Sequence, residues 1–105
     1  MKPHPLTLAF VIRAADQPAT NFPGHDLSVL ESQVHGFDSA LAATGQLQGH
    51  ERFNRSFYRF IASKLGHSRA HTWSEALMEA DGSSTRAEDR LQFELQLFRR
   101  ALEQQ

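Results

Sequence analysis

The sequence predicts an all-α protein: an antiparallel bundle of four main helices, with the N-terminal segment as a short fifth. Three observations carry this. Apolar residues recur at three- and four-residue spacing in separate segments, which puts them on one stripe of a helix. Ser/Thr-x-x-Glu motifs and following glycines bracket those segments as helix starts and stops. No pair of alternating segments offers strands to each other, and short loops between amphipathic helices favour a bundle.

The N-terminal segment is read first as ambiguous. Leu6, Leu8, Phe10 and Ile12 alternate as in a strand. A lone strand would leave its backbone groups unpaired, whereas Pro5 suits the first position of a helix and Ala9, Ala14 and Ala15 favour one. The expectation is a short helix ended by Pro18, with Asn21-Phe22-Pro23-Gly24 as turn and loop. Lys2 followed by apolar residues 6–12 faintly suggests a signal peptide, but Arg13 and Asp16 end the run early.

In the second segment Leu27, Leu30, Val34, Phe37 and Leu41 form one stripe, with Asp26 placed to cap its start and Gly45 to cap its end. In the third, Phe53, Phe57, Phe60, Ile61 and Leu65 form one apolar face and Gly66 a stop, while Arg52, Arg55 and Arg59 fall on another face. Thr72-Trp73-Ser74-Glu75 matches a capping box and opens a short helix with Trp73, Leu77 and Ala80 inward and Gly82 as its end. Thr85-Arg86-Ala87-Glu88 repeats the box before a long last helix, whose inner stripe is Leu91, Leu95, Phe98 and Leu102, widened by Phe93 and Leu97. The whole of residues 1–105 is expected to be one helical domain: residues 1–24 as N-terminal segment and loop, residues 26–104 as the bundle.

Composition narrows function. There is no cysteine, so disulfides and thiolate zinc sites are excluded, and a reducing cytosol fits. A cytoplasmic protein is expected. No run approaches the roughly 20 apolar residues of a membrane span. The net charge of −1 gives no global attraction to nucleic acid or anionic lipid. Of six histidines, His67 and His71 are four apart, but they fall in an expected loop with no metal-ligand motif around them. No serine sits in a nucleophile elbow, and no glycine-rich phosphate loop exists. The expectation is therefore a protein without catalytic residues, metal or cofactor.

Charge is segregated along the chain. Between positions 51 and 69 five basic residues stand against one acid; between 72 and 94 six acids stand against two arginines. The first block allows a DNA-associated regulator using Arg52, Arg55 and Arg59, but the second would repel phosphate, which argues against nucleic acid. The widened last helix allows a general interaction module or homo-oligomer.

The order of these features resembles a group of small all-helical bacterial proteins encoded near polymorphic or contact-dependent toxins and regarded as their immunity partners. The resemblance runs over roughly residues 9–102. It rests on a proline-containing N-terminal loop, Leu27 and Leu30 with Gly36-Phe37, a phenylalanine-rich helix ending Leu65-Gly66, Trp73 opening a short helix, and a leucine- and phenylalanine-rich last helix. It implies a non-enzymatic inhibitor that covers the active site of a cognate toxin. The acidic half suits a basic partner such as a nuclease domain, with Glu75, Glu79, Asp81 and Asp89 as the contacting residues.

Overall fold

A computed structural model describes residues 3–16, 27–47, 52–65, 70–81 and 84–104; at 65, 81 and 84–87 it fixes the backbone alone. Among the described residues the chain is all-helical, without strands. The helices are α1 (Pro5–Asp16), α2 (Leu27–Ala43), α3 (Phe53–Leu65), α4 (Trp73–Asp81) and α5 (Ser84–Glu103). None is long and apolar enough to cross a membrane.

Local chemistry explains most of the ends. The amide of Leu6 donates to Nδ1 of His4 at 3.1 Å, and the amide of Leu8 donates to the carbonyl of His4 at 3.0 Å. His4 thus caps α1, and Pro5 fills the first helical position, where its missing N–H costs nothing. The alternating apolar residues of this segment do not share a face: Thr7, Val11, Ala14 and Ala15 are buried, while Leu6 is 54% exposed. At the end of α2 Gly45 adopts φ +77°. The amide of Gln46 reaches the carbonyl of Leu41 at 2.9 Å, and that of Gly45 the carbonyl of Ala42 at 3.1 Å. This is the Schellman pairing expected of a glycine at that position. The expected cap Asp26 and stops Gly66 and Gly82 lie outside the described residues.

Helix α3 has no capping residue ahead of it in sequence. Its first amide, that of Phe53, donates instead to Oδ2 of Asp38 on α2 at 2.8 Å. The other oxygen of Asp38 accepts the hydroxyl of Thr7 on α1 at 2.6 Å. Helix α4, of only nine residues, is below the roughly 12–15 at which isolated helices persist, so its cap and its buried side chains must hold it. Helix α5 starts at Ser84. Thr85 therefore lies inside its first turn rather than ahead of it, a correction to the second expected capping box.

All five helices contribute to one core. Its centre is aromatic: Phe53, Phe57 and Trp73 are fully buried, and Phe98 meets Phe53 edge-on at 5.9 Å and Phe57 at 5.2 Å. Phe10 of α1 stacks flat on Phe37 of α2 at 5.1 Å. Helix α5 spans this core, burying Leu91, Leu95, Phe98 and Leu102. Lys64 pairs with Glu94 while Phe57 and Phe60 meet Phe98, so α3 runs antiparallel to α5. The carbonyl of Ala15 accepts Nε2 of Gln92 at 2.7 Å, and Leu8 shares a groove with Leu102, so α1 is antiparallel to α5 as well.

Two inward assignments fail. Ala80 is exposed, because the buried residues of α4 cluster in its first five positions. Phe93 is 58% exposed. It follows Leu91 by two residues, roughly 200° round a helix that turns about 100° per residue, and so points away from the core. Glu94, not Phe93, completes the buried arc, and it is only 2% exposed.

Candidate functional site

The N-terminus of α4 gathers polar groups from three helices. The hydroxyl of Thr72 accepts the amide of Glu75 at 3.2 Å, the first half of the capping box. The return bond falls one residue early: Oε2 of Glu75 accepts the amide of His71 at 3.3 Å rather than that of Thr72. The amide of Ser74 is taken by another helix, donating to Oε1 of Glu31 on α2 at 3.2 Å. A carboxylate is favoured here by the positive end of the helix dipole.

Below this cap Trp73 anchors α4. Its indole N–H donates to Oδ1 of Asn54 on α3 at 2.8 Å, and the amide nitrogen of Asn54 donates to the backbone carbonyl of Glu31 at 3.0 Å. Glu31, Asn54 and Trp73 thus tie α2, α3 and α4 into one polar seam above an apolar core. Beside the seam lies an open cleft of about 390 Å³. Helix α2 lines it with Ser28, Glu31, Ser32 and His35, one stripe at helical spacing; Asn54, Thr72, Ser74 and Glu75 close the other side. Among the described residues, two carboxylates and no lysine or arginine face this space. Each carboxylate is oriented by a backbone amide, so neither swings freely.

The expected contact residues fall as follows. Glu75 is exposed, caps α4 and lines the cleft. Glu79, one turn on, is exposed on the same side of α4. Asp89 is exposed on α5, and the side chain of Asp81 lies outside the described residues. The structure therefore unites Glu75 and Glu79 but adds Glu31 and His35, which the sequence reading missed. Their only signal is the Ser28, Glu31, Ser32, His35 stripe, visible as polar but not assignable to a neighbour.

The basic alternative, Arg52, Arg55 and Arg59, follows helical spacing along one side of α3. Arg52 precedes α3 and sits half-buried with Nη1 3.4 Å from the hydroxyl of Ser39, while Arg55 and Arg59 are exposed on α3. His71 is exposed and His67 lies outside the described residues. Among the described residues no group of three or more His, Asp or Glu is placed to hold an ion.

The two carboxylates buried among the described residues are structural. Asp38 joins α1, α2 and α3. Glu94 receives Nζ of Lys64 at 2.9 Å on both oxygens, with Nε of Arg90 at 3.7 Å, beyond hydrogen-bond reach. The ammonium of Lys64 also lies 5.3 Å from the centre of the Phe60 ring and 5.8 Å from that of Phe93, within cation–π range. Comparison with protein-family models, with curated proteins and with solved structures finds no match in any of the three.

Proposed function

We propose that this chain acts by binding another protein through the acidic side of α4, as a non-enzymatic inhibitor of the immunity type that covers the active site of a basic toxin. One observation carries the reading. The buried carboxylates Asp38 and Glu94 join helices, while Glu75 and Glu79 face outward beside a cleft whose described lining holds no lysine or arginine. Charge of this kind steers and orients a basic partner more than it adds raw affinity. Inhibition by occlusion needs only such a surface, with no chemistry from the inhibitor.

The test is whether a toxin domain is encoded beside this chain and, if so, whether the chain binds and inhibits it. Titration calorimetry with that domain should show a complex whose affinity weakens with salt, and the domain's activity should fall in step with complex formation. No binding, or binding that leaves the domain active, overturns the proposal. The exposure of Phe93 supports a second reading, a helical interaction module with its seam on the outer side of α5; Phe93→Glu should then abolish self-association without unfolding the chain.

A further inference from the structure

Helix α1 starts on a histidine. His4 stands just ahead of Pro5, the first helical residue. Its carbonyl accepts the Leu8 amide at 3.0 Å, and Nδ1 of its ring accepts the Leu6 amide at 3.1 Å. This is the geometry of a cap, which accepts from the second or third helical residue, ordinarily through a serine, threonine, aspartate or asparagine oxygen. Here an imidazole nitrogen does so. A ring nitrogen that accepts an amide carries no proton, so the ring is neutral, with its proton on Nε2. Histidine is the side chain that ordinarily changes charge between about pH 5 and 8.

We propose that His4 is a pH-sensitive clasp on α1, closed while its ring is neutral and opened when the ring takes up a proton. Two effects act in the same direction. Protonation turns Nδ1 from acceptor into donor, so the Leu6 amide loses its partner. It also sets a cation at the positive end of the helix dipole, where that sign of charge is disfavoured. The cap is therefore present in neutral and alkaline solution and is lost as pH falls.

Neighbouring charges among the described residues do not cancel this. Helix α1 packs on α2 and α5. On α5, Arg99 and Glu103 line a groove with Pro3 and Pro5, the residues on either side of His4. They are opposite in sign, 3.6 Å apart and more than half exposed, so their effects on an added cation largely offset. On α2, residues 39–46 carry no titratable side chain. Asp38 is titratable, but its two oxygens are taken by Thr7 and Phe53. The turn that His4 holds is also the one that carries Thr7. Opening it frees the Thr7 hydroxyl from its fixed place on Asp38 and so loosens the tie between α1 and the start of α3.

Asparagine keeps a capping acceptor and takes up no proton in this range, so His4→Asn separates the clasp from the chain's other histidines. Thermal unfolding of the full chain should give nearly equal midpoints for wild type and His4→Asn at about pH 8, with wild type falling behind by about 5 °C at about pH 5. His4→Ala should trail wild type by a similar amount at the higher pH and not at the lower. In an amide NMR titration the Leu6 resonance should move in step with the His4 ring protons, and that transition should be missing from His4→Asn. A gap between wild type and His4→Asn that is the same at both pH values overturns the proposal, as does a Leu6 amide that does not follow the ring. A His4→Ala chain as stable as wild type at the higher pH overturns it too, because the neutral ring would then hold nothing.

Discussion

The carboxylate of Asp38 accepts the first amide of α3, that of Phe53, at 2.8 Å, although the two residues lie on different helices. A helix start normally takes its cap from the residue just ahead of it. Here that residue is Arg52, which cannot accept a hydrogen bond through its side chain. Asp38 supplies the missing acceptor and, through Thr7, fixes α1 to the same point. One side chain thereby sets the relative placement of α1, α2 and α3.

Replacing it should be costly. Asp38→Ala strands the Phe53 amide and the Thr7 hydroxyl, both at buried residues. At about 1–3 kcal/mol for each unsatisfied group, the loss should be about 3 kcal/mol or more. Asp38→Asn keeps one carbonyl acceptor and should lose less, and Thr7→Val should cost about 1–2 kcal/mol, since Phe53 keeps its acceptor. Urea unfolding followed by the fluorescence of Trp73, the sole tryptophan, measures each midpoint. Equal stability of the Ala and Asn variants would show that the carbonyl acceptor contributes nothing.

The pair on α3 and α5 makes a second prediction. Glu94 is buried, and the side chain of Lys64 is 35% exposed, so the ion pair is only partly screened. Lys64→Met leaves a buried carboxylate facing Arg90 at 3.7 Å, and should destabilise the fold by about 3 kcal/mol, the lower end for a broken buried pair, since Lys64 is partly exposed. Adding Glu94→Leu should recover much of that loss, because an apolar pair needs no desolvation of charge. A double variant less stable than Lys64→Met would mean that Glu94 is held by more than charge.

The helices themselves were legible because their signals are local. The stripe of Leu91, Leu95, Phe98 and Leu102, the Thr72 cap and the Gly45 stop each depend on residues within about three turns of one another. Asp38 and Glu94 were not legible. Asp38 follows Val34 by four and precedes Leu41 by three, in phase with the buried stripe, yet a charged residue reads as solvent-facing until its partner is known. Those partners, Phe53 and Lys64, lie 15 and 30 residues away. The acidic side of α4 was readable for the opposite reason, since Glu75 and Glu79 simply fall off the apolar stripe. That Glu31 would reach across to the same cleft follows only from how α2 packs against α4.

Two glycines should respond in opposite directions. Gly36 sits within α2, and a Cβ there would meet no atom within 4 Å. Gly36→Ala should stabilise the chain by about 0.5–1 kcal/mol, by restricting the unfolded state and removing a poor helix former. Gly45 also has open space, but its φ of +77° disfavours any side chain. Gly45→Ala should therefore cost about 1–2 kcal/mol. Thermal unfolding of the two variants beside wild type checks both signs; a stabilising Gly45→Ala would contradict the left-handed cap.

Glu75 has two roles in this reading, and its substitutions must keep them apart. As a cap it needs an acceptor oxygen for the His71 amide; as a contact for a basic partner it needs its charge. Glu75→Gln keeps the oxygen and removes the charge. It should leave thermal stability within about 0.5 kcal/mol of wild type while slowing association with a basic partner, the effect expected of a steering charge. Glu75→Lys removes both and should lower stability by about 1 kcal/mol, the usual value of a lost cap, as well as affinity. If Glu75→Gln binds as fast as wild type and only Glu75→Lys binds poorly, the deficit comes from a frayed α4, and the acidic face is not what the partner reads.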